Sequence, residues 1–193
     1  MVKRRLDGLR IAAIAATFVL AVGATPRRVD EEKDLPRFQQ VNENLYRGAQ
    51  PLDGGLKDLA ARGIKTIINL RGEDESTSTE EAEARAAGFN YFSVPLPGFG
   101  RPSTEQVEGI LAIINDSRNW PVFVHCKHGK DRTGTIIACY RISHDHWTAK
   151  EALKEAKRYG MSWMQFGMKD FIRDYYRDYA GAAAPGKAAL QTN

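Results

Sequence analysis

One stretch constrains this chain more than any other. At 121–125 (PVFVH) an apolar, β-branched run reads as a fully buried strand, and it passes through a short turn, 125–132 (HCKHGKDR), into a helical run over 133–144. A strand with no polar face must be covered on both sides, which commits the chain to parallel strands alternating with helices. In such sheets ligands gather beyond the carboxyl ends of the strands, where the chain turns into a helix. The turn after Val124 is therefore the first place to look for chemistry.

The remaining segments supply the other layers. Residues 41–47 (VNENLYR) read as a short strand ended by Gly48 and Pro51, and Leu56, Leu59 and Ala60 share one face of a short helix that Gly63 closes. A second buried strand follows at 64–70 (IKTIINL). Thr77 and Glu80, in capping-box spacing, open a helix that Gly88 ends, and 89–94 form the next strand. After a loop at 95–102 (PLPGFGRP), Ser103 with Gln106 caps a helix striped by Val107, Ile110, Leu111 and Ile114. Thr148 with Glu151 caps another, with Ala149, Ala152, Leu153 and Ala156 on one face; Met168, Phe171, Ile172, Tyr175 and Tyr179 stripe the last. Trp147, Trp163 and Phe166 are expected to pack these C-terminal helices, with MSWMQFG as a segment that could border a site. The expected fold is α/β: a central, mostly parallel sheet flanked by helices in three layers.

The N-terminus has a different character. Lys3, Arg4, Arg5 and Arg10 precede twelve residues without charge, 11–22, and then the small residues Val22, Gly23 and Ala24, the layout of a secretory signal peptide over 1–24. The uncharged run ends at Pro26 after sixteen residues, short of the roughly 20 a spanning helix needs, which favours cleavage after Ala24 over an N-terminal membrane anchor. The expected location is periplasmic or secreted. Residues 25–37 read as a charged linker, 38–180 as the folded domain and 181–193 as a flexible tail. The pI of about 9.1 does not imply a nucleic-acid partner: the first ten residues carry a net +3, and the rest holds 24 basic against 23 acidic side chains.

The turn after Val124 has a definite chemical capacity. Between a buried strand and a helix N-terminus, successive backbone N–H groups from Cys126 to Arg132 can curl into one concavity, a nest for an oxyanion. Gly129 permits a backbone conformation that a side chain would obstruct, and Arg132, six residues after the cysteine, can close over the ring and grip two phosphate oxygens. A thiol facing that cup should ionise below its ordinary value of about 8.5 and attack phosphorus. Thr133 adds a hydroxyl for the sulfur, and His125 can fix the loop by hydrogen bonds. Cys139, in the helix that follows, reads as a small core residue. His144, Asp145 and His146 lack further ligands at metal spacing, so no metal and no cofactor are expected.

These residues resemble the cysteine-dependent protein tyrosine phosphatase superfamily, with its H-C-x5-R-[ST] signature, and most closely its small dual-specificity-like branch, here of a bacterial secreted type. The likeness runs from about residue 38 to 179 and includes LYRGAQP at 45–51 and INLRGE at 68–73. It implies a phosphoric monoester hydrolase working through a phosphocysteine intermediate, with Cys126 as nucleophile and Arg132 as phosphate clamp. The family's upstream general-acid aspartate is missing: residues 89–104 contain no Asp or Glu, and Glu105 falls in a helix first turn. Asp131 matches the loop aspartate of myotubularin-like and some bacterial lipid phosphatases and is the preferred acid, against a role orienting Arg132 by a salt bridge; Glu73 and Asp74 are the other candidates.

Lys127, His128 and Lys130 around the cup favour substrates with extra negative charge, a phosphotyrosine or other phosphoprotein site or a phosphoinositide, and Arg47 and Arg71 would extend the basic surface. Membrane contact is expected only through an uncleaved leader or a lipid substrate. Two other classes fit parts of the pattern: a rhodanese-like sulfurtransferase, whose loop lacks the closing arginine, and a catalytically impaired phosphate-binding module.

Overall fold

The computed structural model describes residues 33–72 and 75–183. The leader, most of the linker, Glu73 and Asp74, and the tail beyond 183 lie outside the described residues. Strand β5 (Val122–Cys126) is the centre of a five-stranded sheet. It runs parallel to β2 (Leu45–Ala49) on one side and β3 (Thr66–Asn69) on the other; β4 (Asn90–Ser93) extends the parallel set, and β1 (Gln39–Asn42) pairs antiparallel with β2 at the opposite edge.

Strand alternation sorts the core into two layers. Ile67 and Phe123 join Leu59 of α1 (Gly55–Ala61) and Ala84 of α2 (Glu75–Ala86) on one side. Ile68, Val122 and Val124 join the opposite layer with α3 (Thr104–Asn115), α4 (Asp131–Ser143), α5 (Ala149–Arg158) and α6 (Phe166–Ala183). Helix α4 is enclosed by its neighbours and buries every residue from Thr133 to Tyr140. The capping boxes expected at Ser103/Gln106 and Thr148/Glu151 are both formed, and the stripe Val107, Ile110, Leu111 and Ile114 is buried.

Several local expectations are corrected. The strand read at 41–47 is two strands of a hairpin, because Asn42 Oδ1 accepts from Asn44 N–H at 2.9 Å and turns the chain between them. Helix α2 begins at Glu75, ahead of the expected cap: the Thr77 hydroxyl donates to the Gly72 carbonyl at 3.0 Å and Glu80 faces inward. Ala60 is exposed, leaving Leu59 as the residue α1 buries by side chain. Folded structure begins before residue 38: Leu35 is 1% exposed, and the carbonyls of Asp34 and Pro36 accept from Leu52 and Ala49 N–H at 2.9 and 2.8 Å. A single apolar residue among charges has no periodicity, so nothing local marks it as core. At the other end, α6 runs on to Ala183, into the expected tail. Among the described residues no helix is long and apolar enough to cross a membrane.

Candidate active site

The end of β5 sends neighbouring side chains to opposite layers. Cys126 is 2% exposed and belongs to the α3–α6 side, whereas His125, completely buried, stacks on Phe123 at 5.5 Å on the α1/α2 side. Beyond Cys126 the loop folds back onto β2. Gly129 has φ +64°, and a Cβ there would lie 2.5 Å from Gly48 C and O and 2.6 Å from Ala49 N. Backbone atoms of a sheet strand cannot give way, so any side chain at 129 would lift the loop off the sheet. From below, Arg47 Nη2 donates to the Gly129 carbonyl at 3.2 Å while its guanidinium lies 4.3 Å from the Tyr159 ring centre. Burial pushes the Arg47 pKa down to about 10, against the opposing charges of Glu155, Tyr159 and Cys126, so it stays cationic at neutral pH.

The sulfur is poised by competing effects. Burial opposes its ionisation, but the Thr133 hydroxyl and amide, the Arg132 charge and the His128 amide favour the anion, and the net result is a thiol below its ordinary value. Thr133 Oγ1 is buried and has no hydrogen-bond partner in place, so its hydroxyl is available to the ionised sulfur. Cys139 shows what burial does alone: completely buried in α4, its thiol is pushed far up and stays protonated. Both cysteines are free.

Arg132, in the first turn of α4, is half-buried and donates from Nη1 to the Leu70 carbonyl at 3.2 Å. Asp131 makes no ion pair with it. Instead Asp131 Oδ1 accepts from Ser162 N–H at 2.7 Å, tying the loop to the segment between α5 and α6. Lys127 and His128 are exposed on the rim, and Lys130 is half-buried with its stem against Gly160. The expectation that Arg47 and Arg71 extend a basic surface is overturned: Arg47 is 2% and Arg71 6% exposed, and Arg71 Nη1 donates to Gln50 Oε1. Arg47, in the middle of β2, is covered by the Gly129 carbonyl and the Tyr159 ring, and Arg71, just past β3, is turned onto Gln50. Glu105 is a solvent-exposed residue of the first turn of α3, its carboxyl held low chiefly by a backbone amide.

Sequence reasoning missed a buried polar chain behind the loop. Glu80, 6% exposed, sets Oε1 2.7 Å from His125 Nε2, close enough for an ion pair though not aligned as a hydrogen bond. Tyr91 donates to the same oxygen at 3.1 Å, Asn69 Nδ2 donates to Tyr91 OH at 2.8 Å, and Asn69 Oδ1 accepts from Arg71 N–H at 2.9 Å. Burial and the Glu80 charge push the Tyr91 hydroxyl well above its ordinary value, which keeps it a donor. His125 thus reaches the loop only through its backbone, with its ring held from α2. The Thr77/Glu80 spacing was the one signal available, and it matches a helix cap equally well.

Among the described residues no group of three or more His, Cys, Asp or Glu is placed to hold a metal. His144 Nδ1 lies 2.7 Å from Asp145 Oδ1, and Asp145 in turn pairs with Arg141. A cleft of about 680 Å³ between the 50–57 segment and α2 has no residue of the 126–132 loop in its wall. The chemistry therefore marks the site better than cavity size does.

The comparisons agree with this geometry. A family model described as a DSP-PTPase phosphatase fused to NAD+ kinase matches residues 24–174. The chain is 29% identical over 197 residues to the dual specificity protein phosphatase TpbA of Pseudomonas aeruginosa strain UCBPP-PA14, covering 96% of this chain and 84% of the relative. It is 28% identical over 158 residues to the inositol diphosphatase DSP5 of Arabidopsis thaliana, covering 76% of each. The crystal structure of the core catalytic domain of the PP-IP phosphatase SIW14 from S. cerevisiae shares the fold, with a TM-score of 0.66, 23% identity and coverage of 77% of this chain and 92% of that one.

Proposed function

The chain belongs to the DSP-PTPase phosphatase family, whose members are cysteine-dependent phosphatases, and from that premise we propose that Cys126 carries phosphoryl transfer here. The observation that supports this most directly is the sulfur itself: a buried thiol at the end of β5, held below its ordinary pKa by the His128 and Thr133 amides, the Thr133 hydroxyl and the Arg132 charge. The thiolate attacks phosphorus, the P–O ester bond breaks, and the leaving oxygen takes a proton. Water then attacks phosphorus, forming a P–O bond and giving up a proton as the P–S bond breaks, so that the thiolate departs and inorganic phosphate is released. The Arg132 guanidinium binds two equatorial oxygens throughout, and Thr133 stabilises the sulfur anion when it is expelled.

Asp131 is the acid and then the base in this scheme. One of its oxygens is anchored by Ser162 and the other is left for a proton, while the 95–102 loop offers no carboxylate. The substrate class follows from the rim cations Lys127 and Lys130 and from the relatives, one named for dual specificity and another as an inositol diphosphatase. These support a phosphotyrosine-containing protein or a phosphorylated inositol ring.

The test is leaving-group dependence. Cys126→Ser should abolish phosphate release from p-nitrophenyl phosphate. Asp131→Asn should slow alkyl phosphate hydrolysis by about 10²–10⁴-fold, and aryl phosphate hydrolysis much less, because a good leaving group hardly needs the proton. Equal loss on both would remove the acid role. Turnover surviving in Cys126→Ser would remove the mechanism.

A further inference from the structure

The segments flanking the loop leave an unusual set of side chains in water. Phe99 is 67%, Trp163 75%, Met164 48% and Phe166 60% exposed. Single exposed apolar residues need no explanation, but four large ones brought together from two separate loops do. They form one rim. Gln165, itself 5% exposed, donates from Nε2 to the Gly98 carbonyl at 2.9 Å, and a Cβ on Gly167 would lie 2.7 Å from Gly100 C, so the backbone on either side of Phe99 is pressed onto the Trp163 and Phe166 segment. Trp163 and Phe166 meet edge to face at 6.4 Å, and Lys169, buried beneath, donates to the Trp163 carbonyl and sits 4.8 Å from the Phe166 ring centre. The tips are therefore held outward by a buried polar frame.

That rim adjoins the catalytic loop. Ser162 N–H binds Asp131 Oδ1 at 2.7 Å, and the Lys130 stem packs on Gly160. The local charge is complementary to an anionic surface. Asp170 is neutralised by Arg173 and Asp174 by Arg101 and Arg177, whereas Lys127 and Lys130 have no carboxylate partner among the described residues. Aromatic and Met tips beside free lysines are the combination that seats a protein at the boundary of headgroups and acyl chains.

We propose that Phe99, Trp163, Met164 and Phe166 dock onto an anionic lipid bilayer, presenting the Cys126 loop to a phosphate monoester carried at that surface. The proposal rests on the phosphatase reading above and adds where the substrate lies. A peptide site would be walled, with aromatic rings partly covered by the slot they line. Three aromatic tips more than half exposed, with Met164 at 48%, fit a deformable surface instead.

The full chain is mixed with vesicles of phosphatidylcholine containing phosphatidylserine, with and without brominated acyl chains, and its emission is compared with that of Trp163→Phe. The difference between the two isolates Trp163 from Trp120 and Trp147 and from any lipid contact made elsewhere in the chain. Docking predicts a blue-shifted Trp163 component that brominated lipid quenches, and that weakens when phosphatidylserine is omitted. In a second arm, Phe99→Ser/Trp163→Ser/Phe166→Ser should hydrolyse p-nitrophenyl phosphate like the parent but lose at least about tenfold in rate on phosphatidylinositol monophosphate embedded in those vesicles, and keep its rate on the short-chain soluble analogue. A Trp163 signal indifferent to brominated lipid overturns the proposal. So does a triple variant that is unimpaired on vesicles but has a raised KM for a phosphotyrosine peptide, which would assign the rim to peptide. Failure of the parent on p-nitrophenyl phosphate would count against the phosphatase reading and leave the fluorescence arm to judge the docking.

Discussion

The reactivity of Cys126 is a matter of a few atoms. Burial alone would make its thiol as inert as that of Cys139 in the same molecule, and what reverses the direction is a hydroxyl, two amides and a guanidinium within reach of the sulfur. The Thr133 hydroxyl is the part that can be removed with little change of shape. Thr133→Val should move the pH profile of Cys126 alkylation by iodoacetamide to higher pH, because the thiolate loses its hydroxyl donor and the thiol does not. At neutral pH the alkylation rate should fall several-fold while Cys139 stays unreactive in both forms. An unchanged profile would show that the main-chain amides and Arg132 suffice. Gly129 and Arg47 also shape the loop around the sulfur: one lets the loop reach the β2 backbone, the other binds the carbonyl that the turn leaves behind.

At the level of elements, the loop is held from both sides of the sheet. The α5–α6 connection grips it through Ser162 and Asp131. On the opposite side α2, β3 and β4 meet in the chain Glu80, Tyr91 and Asn69, which holds the His125 ring and, through the Arg71 amide, the end of β3. Each member is buried, so removing one leaves polar partners without water. Glu80→Ala should cost about 1–3 kcal/mol of folding stability in urea titrations. It should also lower kcat on p-nitrophenyl phosphate more than it raises KM, since the ring it holds belongs to the residue before the nucleophile. Glu80→Gln, which keeps the shape and loses the charge, should restore much of the stability. A KM effect with unchanged kcat would instead place Glu80 in substrate binding.

For the molecule as a whole, Leu35 marks where the folded unit begins. Leu35→Ala should destabilise by about 2–5 kcal/mol, the range for truncating a fully buried leucine, with no change in kcat per folded molecule. A negligible loss would return residues 33–37 to the linker. What was legible beforehand follows from physics that acts over a few residues. The β-branched runs at 64–70 and 121–125, the two capping boxes and the apolar stripe of α3 are each satisfied locally, and the loop from Cys126 to Thr133 carries its chemistry in consecutive residues. The hairpin at Asn42 and the inward turn of Glu80 were not legible, because an Asx turn and a buried carboxylate use the same residue types as a strand end and a helix cap. By itself, then, the order of residues determined a mostly parallel α/β sheet with a cysteine and an arginine in the turn that follows one of its buried strands. Only the packing of distant segments decided that Arg47 and Arg71 are buried supports, that Asp131 is held by Ser162, and that Phe99 and Trp163 share a rim. Those are contacts between residues far apart in sequence, and their energies exist only once the layers have closed.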